Sequence, residues 1–130
     1  MLDTHVLLWF LTENLAKLSP TCQKILLDES NHLYFSKASI WEIAIKHSLG
    51  KPDFEYNPQE IGQELLRLGF LCLDIGLSHL YGVVDLPMIH KDPFDRLLIM
   101  QAKSENLQLL TADKAILQYN QAFILDTQSL

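Results

Sequence analysis

The sequence predicts an α/β fold, with helices layered around a central, mostly parallel sheet. Two observations carry that reading. Short apolar runs at 32–35, 70–75, 108–110 and 122–125 recur along the chain, and between them lie segments with helix-start signals, among them Ser19-Pro20, Asn57-Pro58 and Asp92-Pro93. Strands alternating with helices belong to layered folds in which each strand passes through a helix before the next.

The elements follow in order. Met1–Asp3 reads as the stub of a strand, and Thr4–Leu11 as a dense apolar stretch. Ser19 caps and Pro20 opens a helix to about Glu29, because proline's missing N–H costs nothing in the first turn. His32–Phe35 is a short strand ending at Ser36. The next helix shows Trp41, Ala44, Ile45 and Leu49 on one stripe, and Gly50 stops it. Asn57-Pro58 opens a helix that ends near Gly69, Phe70–Ile75 is a strand, and Ser78–Val84 a short helix. Asp92-Pro93 starts a long apolar helix through Phe94, Leu97, Leu98, Met100, Gln101 and Ala102. Gln108–Leu110 is a strand, Asp113–Gln118 a helical turn and Ala122–Leu125 the last strand. No repeat, linker or low-complexity segment divides residues 1–130, so one domain is expected.

Composition excludes several classes. An apolar fraction of 48% with 20% charged residues rules out disorder. No apolar run approaches the roughly 20 residues of a membrane-spanning helix. The opening Met1-Leu2-Asp3-Thr4-His5 has no basic region before an apolar one, which predicts a cytoplasmic protein. Cys22 and Cys72 have no metal-like spacing and are expected to be reduced and buried, so no zinc site is predicted. The net charge of −6 runs against a nucleic-acid partner. Four acids holding two divalent ions would cancel most of it. Lys37, Lys46 and Lys51 against Glu42 alone also make the 36–52 stretch locally basic. A solvated helix face explains those lysines equally well.

Parallel sheets place their ligand sites beyond the carboxyl ends of their strands. Asp3, Asp95 and Asp113 fall at such junctions, and Glu42 in the helix after the second strand. Each has a structural explanation: Asp3 as a helix cap, Glu42 as the partner of Lys46 four residues on, Asp95 as the third residue after the cap Asp92, Asp113 as the cap of a turn. Together they suit a hard cation, which wants carboxylate oxygens, water and substrate phosphate.

The residues also carry a resemblance. Leu2-Asp3-Thr4-His5-Val6-Leu7-Leu8-Trp9 resembles the opening motif of PIN-domain proteins, especially VapC-type toxins of toxin–antitoxin pairs. Ser36-Lys37-Ala38-Ser39-Ile40-Trp41-Glu42-Ile43-Ala44-Ile45-Lys46 resembles the second motif. The run from His90 through Asp92-Pro93-Phe94-Asp95-Arg96 to Ala102 resembles the third, and Leu109-Leu110-Thr111-Ala112-Asp113 the fourth. The resemblance implies a three-layer PIN-like α/β domain. It implies an endoribonuclease dependent on Mg²⁺, with Mn²⁺ as the other candidate. Asp3, Glu42 and Asp95 would be the main catalytic and metal-binding acids and Asp113 the fourth, with Thr111 supplying a hydroxyl at the rim. The expected partners are RNA and a cognate antitoxin that covers or disorders the acidic site. Family members carry more residues before the first acid, so the leading strand is short here or its start lies upstream. Asp92 is left as the helix cap; His90 lies in a polar loop where it could meet substrate, His5 and His47 read as structural or exposed, and none of the three receives a catalytic role. Arg96 is expected in a structural ion pair, with phosphate contact as the other option.

The apolar runs Val6–Leu11 and Phe94–Ala102 point to a homodimer or antitoxin surface, or equally to fully buried helices. Two rival functions stand beside this one. A phosphatase with an aspartyl nucleophile wants a second aspartate two residues after Asp3, where His5 stands. A PIN-like binding module that has lost its activity is the alternative, and the four retained acids argue against it.

Overall fold

The computed structural model describes residues 1–52 and 54–130. Its helices are α1 (Thr4–Leu11), α2 (Pro20–Leu27), α3 (Lys37–Ser48), α4 (Pro58–Arg67), α5 (Leu77–Gly82), α6 (Pro93–Ser104) and α7 (Lys114–Leu117). The strands are β1 (Tyr34–Ser36), β2 (Leu71–Leu73), β3 (Leu109–Thr111) and β4 (Ile124–Asp126), with short 3₁₀ turns at Leu15–Lys17 and Val83–Asp85.

The sheet is parallel. β1 pairs with β2 and β3 with β4, and the first three residues join the two pairs. Leu2 N donates to Tyr34 O (3.1 Å), Asp3 N donates to Leu110 O (3.0 Å), and Leu110 N donates to Met1 O (2.8 Å). The order across the sheet is therefore β2, β1, the Met1–Asp3 segment, β3, β4. The expected strand stub is present, and it lies at the centre of the sheet.

Successive residues of a strand face opposite sides, and the sheet feeds two cores accordingly. Met1, Leu109 and Ile124 pack with Leu98, Ile99 and Ala102 of α6 and with Ile116 of α7. Leu2, Phe35 and Leu110 pack with Val6 and Leu7 of α1, Cys22 and Leu26 of α2, and Leu65 of α4. Helices cover both faces, which gives the three layers that the sequence predicts.

The helix starts follow the predicted chemistry. Ser19 accepts from Cys22 N, Asn57 from Gln59 N and Glu60 N, and Asp92 from Phe94 N and Asp95 N, each just before a proline. Gly50 (φ 64°) and Gly69 (φ 91°) follow the ends of α3 and α4 in the left-handed region, where a side chain would be strained.

Several expectations need correction. Strand β2 is shorter than Phe70–Ile75 because it is the edge of the sheet, with one neighbour to pair with. For the same reason Cys72 is exposed, against the expectation that both cysteines are buried; Cys22 is fully enclosed. The Trp41, Ile45 and Leu49 stripe of α3 faces outward, with Trp41 58% exposed, while Ala38, Ser39, Glu42 and Ile43 face inward. The apolar core of the Val6–Leu11 and Phe94–Ala102 runs is spent inside the chain: Val6, Leu7, Leu8, Leu97, Leu98, Ile99 and Ala102 are all buried. Those runs therefore no longer argue for a partner surface. Among the described residues, no helix is long and apolar enough to cross a membrane.

Candidate functional site

Because every strand is parallel, Asp3, Ser36 and Thr111 all stand at one edge of the sheet, the carboxyl ends. From there α1, α3 and the Asp113 turn begin, and α6 brings Asp95 in from its first turn.

Asp3 is 2% exposed. Its Oδ1 accepts from Val6 N at 2.9 Å, capping α1, and its Oδ2 accepts from the Thr111 hydroxyl. Burial is the main cause that pushes its carboxyl from 3.8 to about 6; the two hydrogen bonds oppose it, and the charges of Asp113 and Glu42 reinforce it. Thr111 is wholly buried rather than at the rim, and its oxygen also accepts from Asp113 N at 3.0 Å. One hydroxyl thus ties the first acid to the last.

Glu42 is buried on the inward face of α3. Its Oε1 accepts from Thr4 Oγ1 at 2.7 Å and its Oε2 meets Lys46 Nζ at 3.0 Å. Asp113 caps α7 through Oδ1, which accepts from Ala115 N (2.8 Å) and Ile116 N (3.2 Å). Asp95 follows the cap Asp92, and its Oδ2 lies 2.7 Å from His90 Nε2. Burial again dominates in raising the Asp95 carboxyl from 3.8 to about 7; the His90 contact opposes the rise, and the charges of Asp92, Asp113 and Glu42 add to it.

The structural explanations for these acids are therefore real. Asp3 and Asp113 are caps and Glu42 does pair with Lys46. They do not compete with a site, because a carboxylate has two oxygens and about four lone-pair positions. One oxygen of Asp113 anchors the side chain and leaves the other for a ligand.

The acids influence one another's charge but do not form a single tight ring. Among the described residues, the set whose ligand atoms all lie within 4.8 Å of one another is His90, Asp95 and Asp113; Asp3 and Glu42 are not in it. A shallow cavity of about 240 Å³, lined by His5, Trp9, Ala112 and Asp113, opens beside this set. The donors suit a hard divalent cation. They are carboxylate oxygens plus one imidazole, and two of the acids are held in a protonation-prone state by burial and like charge that a bound cation would relieve.

Sequence reasoning placed His90 in a loop open to substrate but missed its contact with Asp95, and it misjudged Arg96. Arg96 is 7% exposed and, among the described residues, pairs with no carboxylate. Nη1 donates to Pro87 O (2.9 Å) and the Tyr119 hydroxyl (3.1 Å), and Nη2 donates to Val83 O and Leu86 O (both 3.1 Å). The guanidinium thus closes the 83–90 loop under the site. Gln101, in the apolar helix, is likewise a buried tie: Ser36 Oγ donates to its Oε1 (2.5 Å), and its Nε2 donates to Asp74 O (3.2 Å). The signal for both was a polar residue on an otherwise apolar face of a predicted helix.

A family model described as PIN domain matches residues 1–121. No curated protein and no solved structure matches the chain.

Proposed function

The chain belongs to the PIN domain family, and on that premise we propose that it is a metal-dependent endoribonuclease that serves as the toxin of a toxin–antitoxin pair. PIN domains are typically nucleases that bind nucleic acid and generally use divalent metal ions. The observation that carries the reading is the gathering of Asp3, Glu42, Asp95 and Asp113 at the carboxyl edge of the sheet, where two of the carboxyls are raised toward neutrality.

Asp95 and Asp113 are the residues that would hold a divalent cation, with Asp3 and Glu42 behind them. When bound, the ion supplies an activated water and offsets charge on the leaving oxygen. The chain's own contribution is placement. Thr111 and the Val6 amide fix Asp3, Thr4 fixes Glu42, and the α7 amides fix Asp113. Preorganised groups of this kind lower the cost of assembling charge at the moment of reaction. The lysines near the site give limited help with the RNA backbone, since Lys46 is tied to Glu42 and Lys37 to Asp74 at 2.7 Å.

The experiment is an RNA-cleavage assay in Mg²⁺, in Mn²⁺ and in EDTA. Cleavage that requires the metal and is lost in EDTA supports the proposal. Undiminished cleavage in EDTA, or none with either ion, refutes it. The toxin role is tested by expression in cells with and without the four acids; growth arrest that persists in an Asp3→Asn, Asp95→Asn double variant speaks against it.

A further inference from the structure

His90 is held more firmly than a loop residue ordinarily is. Its backbone N donates to the Tyr119 hydroxyl at 3.1 Å, and the same hydroxyl donates to Pro87 O at 2.8 Å. Arg96 donates to Pro87 O at 2.9 Å and reaches His90 O at 3.4 Å. Tyr119 and Arg96 are 6% and 7% exposed, so this scaffold is packed in place before any ligand arrives. It aims the imidazole at Asp95, with Nε2 2.7 Å from Oδ2.

We infer that His90 is a nitrogen ligand of the divalent cation, beside Asp95 and Asp113. The inference rests on the metal-dependent reading above and adds a donor to it. An octahedral ion with ligands at about 2.1 Å holds adjacent donors about 3 Å apart and opposite donors about 4 Å apart. The His90–Asp95 spacing of 2.7 Å is a hydrogen-bond contact a few tenths of an ångström inside that of adjacent donors, and the whole set spans no more than 4.8 Å, so small side-chain shifts bring the three atoms around one ion. A carboxylate-only centre has no equivalent of this nitrogen. Its consequence is selectivity: imidazole suits the later first-row metals better than Mg²⁺, which prefers oxygen. His90 therefore tilts the site away from Mg²⁺ and toward Co²⁺. A histidine that only donates its N–H to Asp95 would orient that carboxylate without any such tilt.

The two roles separate by spectroscopy on the full chain loaded with one equivalent of Mn²⁺. Pulsed electron paramagnetic resonance is expected to show ¹⁴N coupling in the wild type, and none in His90→Ala or in His90→Gln, which keeps a hydrogen-bonding side chain. By calorimetry, Co²⁺ affinity falls at least about tenfold in both variants, the scale on which even outer partners of a metal ligand act. Mg²⁺ affinity changes less. Circular dichroism confirms that each variant is folded. Bound Mn²⁺ without ¹⁴N coupling in the wild type overturns the inference and leaves the nuclease reading intact. Coupling that survives in both variants overturns it as well, because the nitrogen then comes from elsewhere. Absence of Mn²⁺ binding removes the inference together with the metal site, whereas coupling in a protein that cleaves no RNA upholds the ligand and removes only the nuclease reading.

Discussion

Thr111 donates its hydroxyl to Asp3 Oδ2 across 108 residues of sequence, which separate the two, and with the same oxygen accepts from Asp113 N. Both side chains are buried, so no water is at hand to replace either bond. Thr111→Val is expected to leave a buried carboxylate and a backbone N–H short of partners, at a cost of about 1–3 kcal/mol in urea unfolding. It also removes a bond that lowers the Asp3 carboxyl, so that group moves further up. Thr111→Ser keeps the bonds and should lie close to the wild type. Equal stability of the Val and Ser variants would show that the hydroxyl is idle.

Arg96 and Tyr119 form the support of the His90 loop. Arg96→Lys keeps the charge but not the planar fork that serves Val83, Leu86, Pro87 and Tyr119 together. It should cost on the order of 2–3 kcal/mol, as hydrogen bonds to a charged group are lost in the interior. Tyr119→Phe orphans His90 N, leaves Pro87 O with Arg96 as its remaining donor, and should cost about 1–3 kcal/mol. Denaturant titrations of the two variants check this, and an unchanged midpoint for Arg96→Lys would contradict it.

Much of this was legible in the sequence. Serine, asparagine and aspartate before proline marked three helix starts, since cap and proline leave local signals. Asp3, Asp95 and Asp113 sit at element ends, which sequence spacing exposes, whereas Glu42 lies inside α3 and was reached only through the resemblance of its motif. The contact of His90 with Asp95 was not legible: His90 stands five residues before Asp95 across a loop-to-helix junction, and no helical or strand period links the two. The Arg96 network escaped for a related reason, because its acceptors are mostly backbone carbonyls, which no side-chain pattern reveals. The Trp41, Ile45 and Leu49 stripe shows the reverse problem. A helical period locates a helix but does not say which face the fold buries; here the inward face carries Glu42.

Metal-free stability should depend on pH through Asp95. Its folded-state carboxyl is raised from 3.8 to about 7, so folding favours the protonated form. The stabilisation is fully present below the unfolded value and is lost as pH rises through the folded one. In EDTA the wild type should therefore lose stability, relative to Asp95→Asn, between about pH 4 and about pH 7.5. Asp3 adds a contribution of the same sign, ending lower, near 6. Chemical unfolding at several pH values measures the difference, and a gap that stays constant or shrinks with rising pH is the contrary result.

RNA affinity should fall with salt, but gently. Three lysines meeting three phosphates of a single strand would give a log–log slope near −2. Lys37 and Lys46 are already paired with Asp74 and Glu42, so a shallower slope is expected. Titrating fluorescent RNA into Asp3→Asn at several salt concentrations gives the slope. A value steeper than about −2 would place a basic surface elsewhere.

The central claim is that the acids form a cation site, and thermal melts of wild type and Asp95→Asn, each in EDTA and in excess Mn²⁺ or Mg²⁺, test it most directly. Without metal, the Asn variant should be as stable as the wild type or more so, because one of several mutually repelling carboxylates is gone. With metal at about a hundred times its dissociation constant, the wild type should gain about 2.7 kcal/mol by mass action and the variant much less. A variant that loses roughly 0.3–1 kcal/mol, as an ordinary first-turn acid would, and that shifts with metal as far as the wild type does, would contradict the claim.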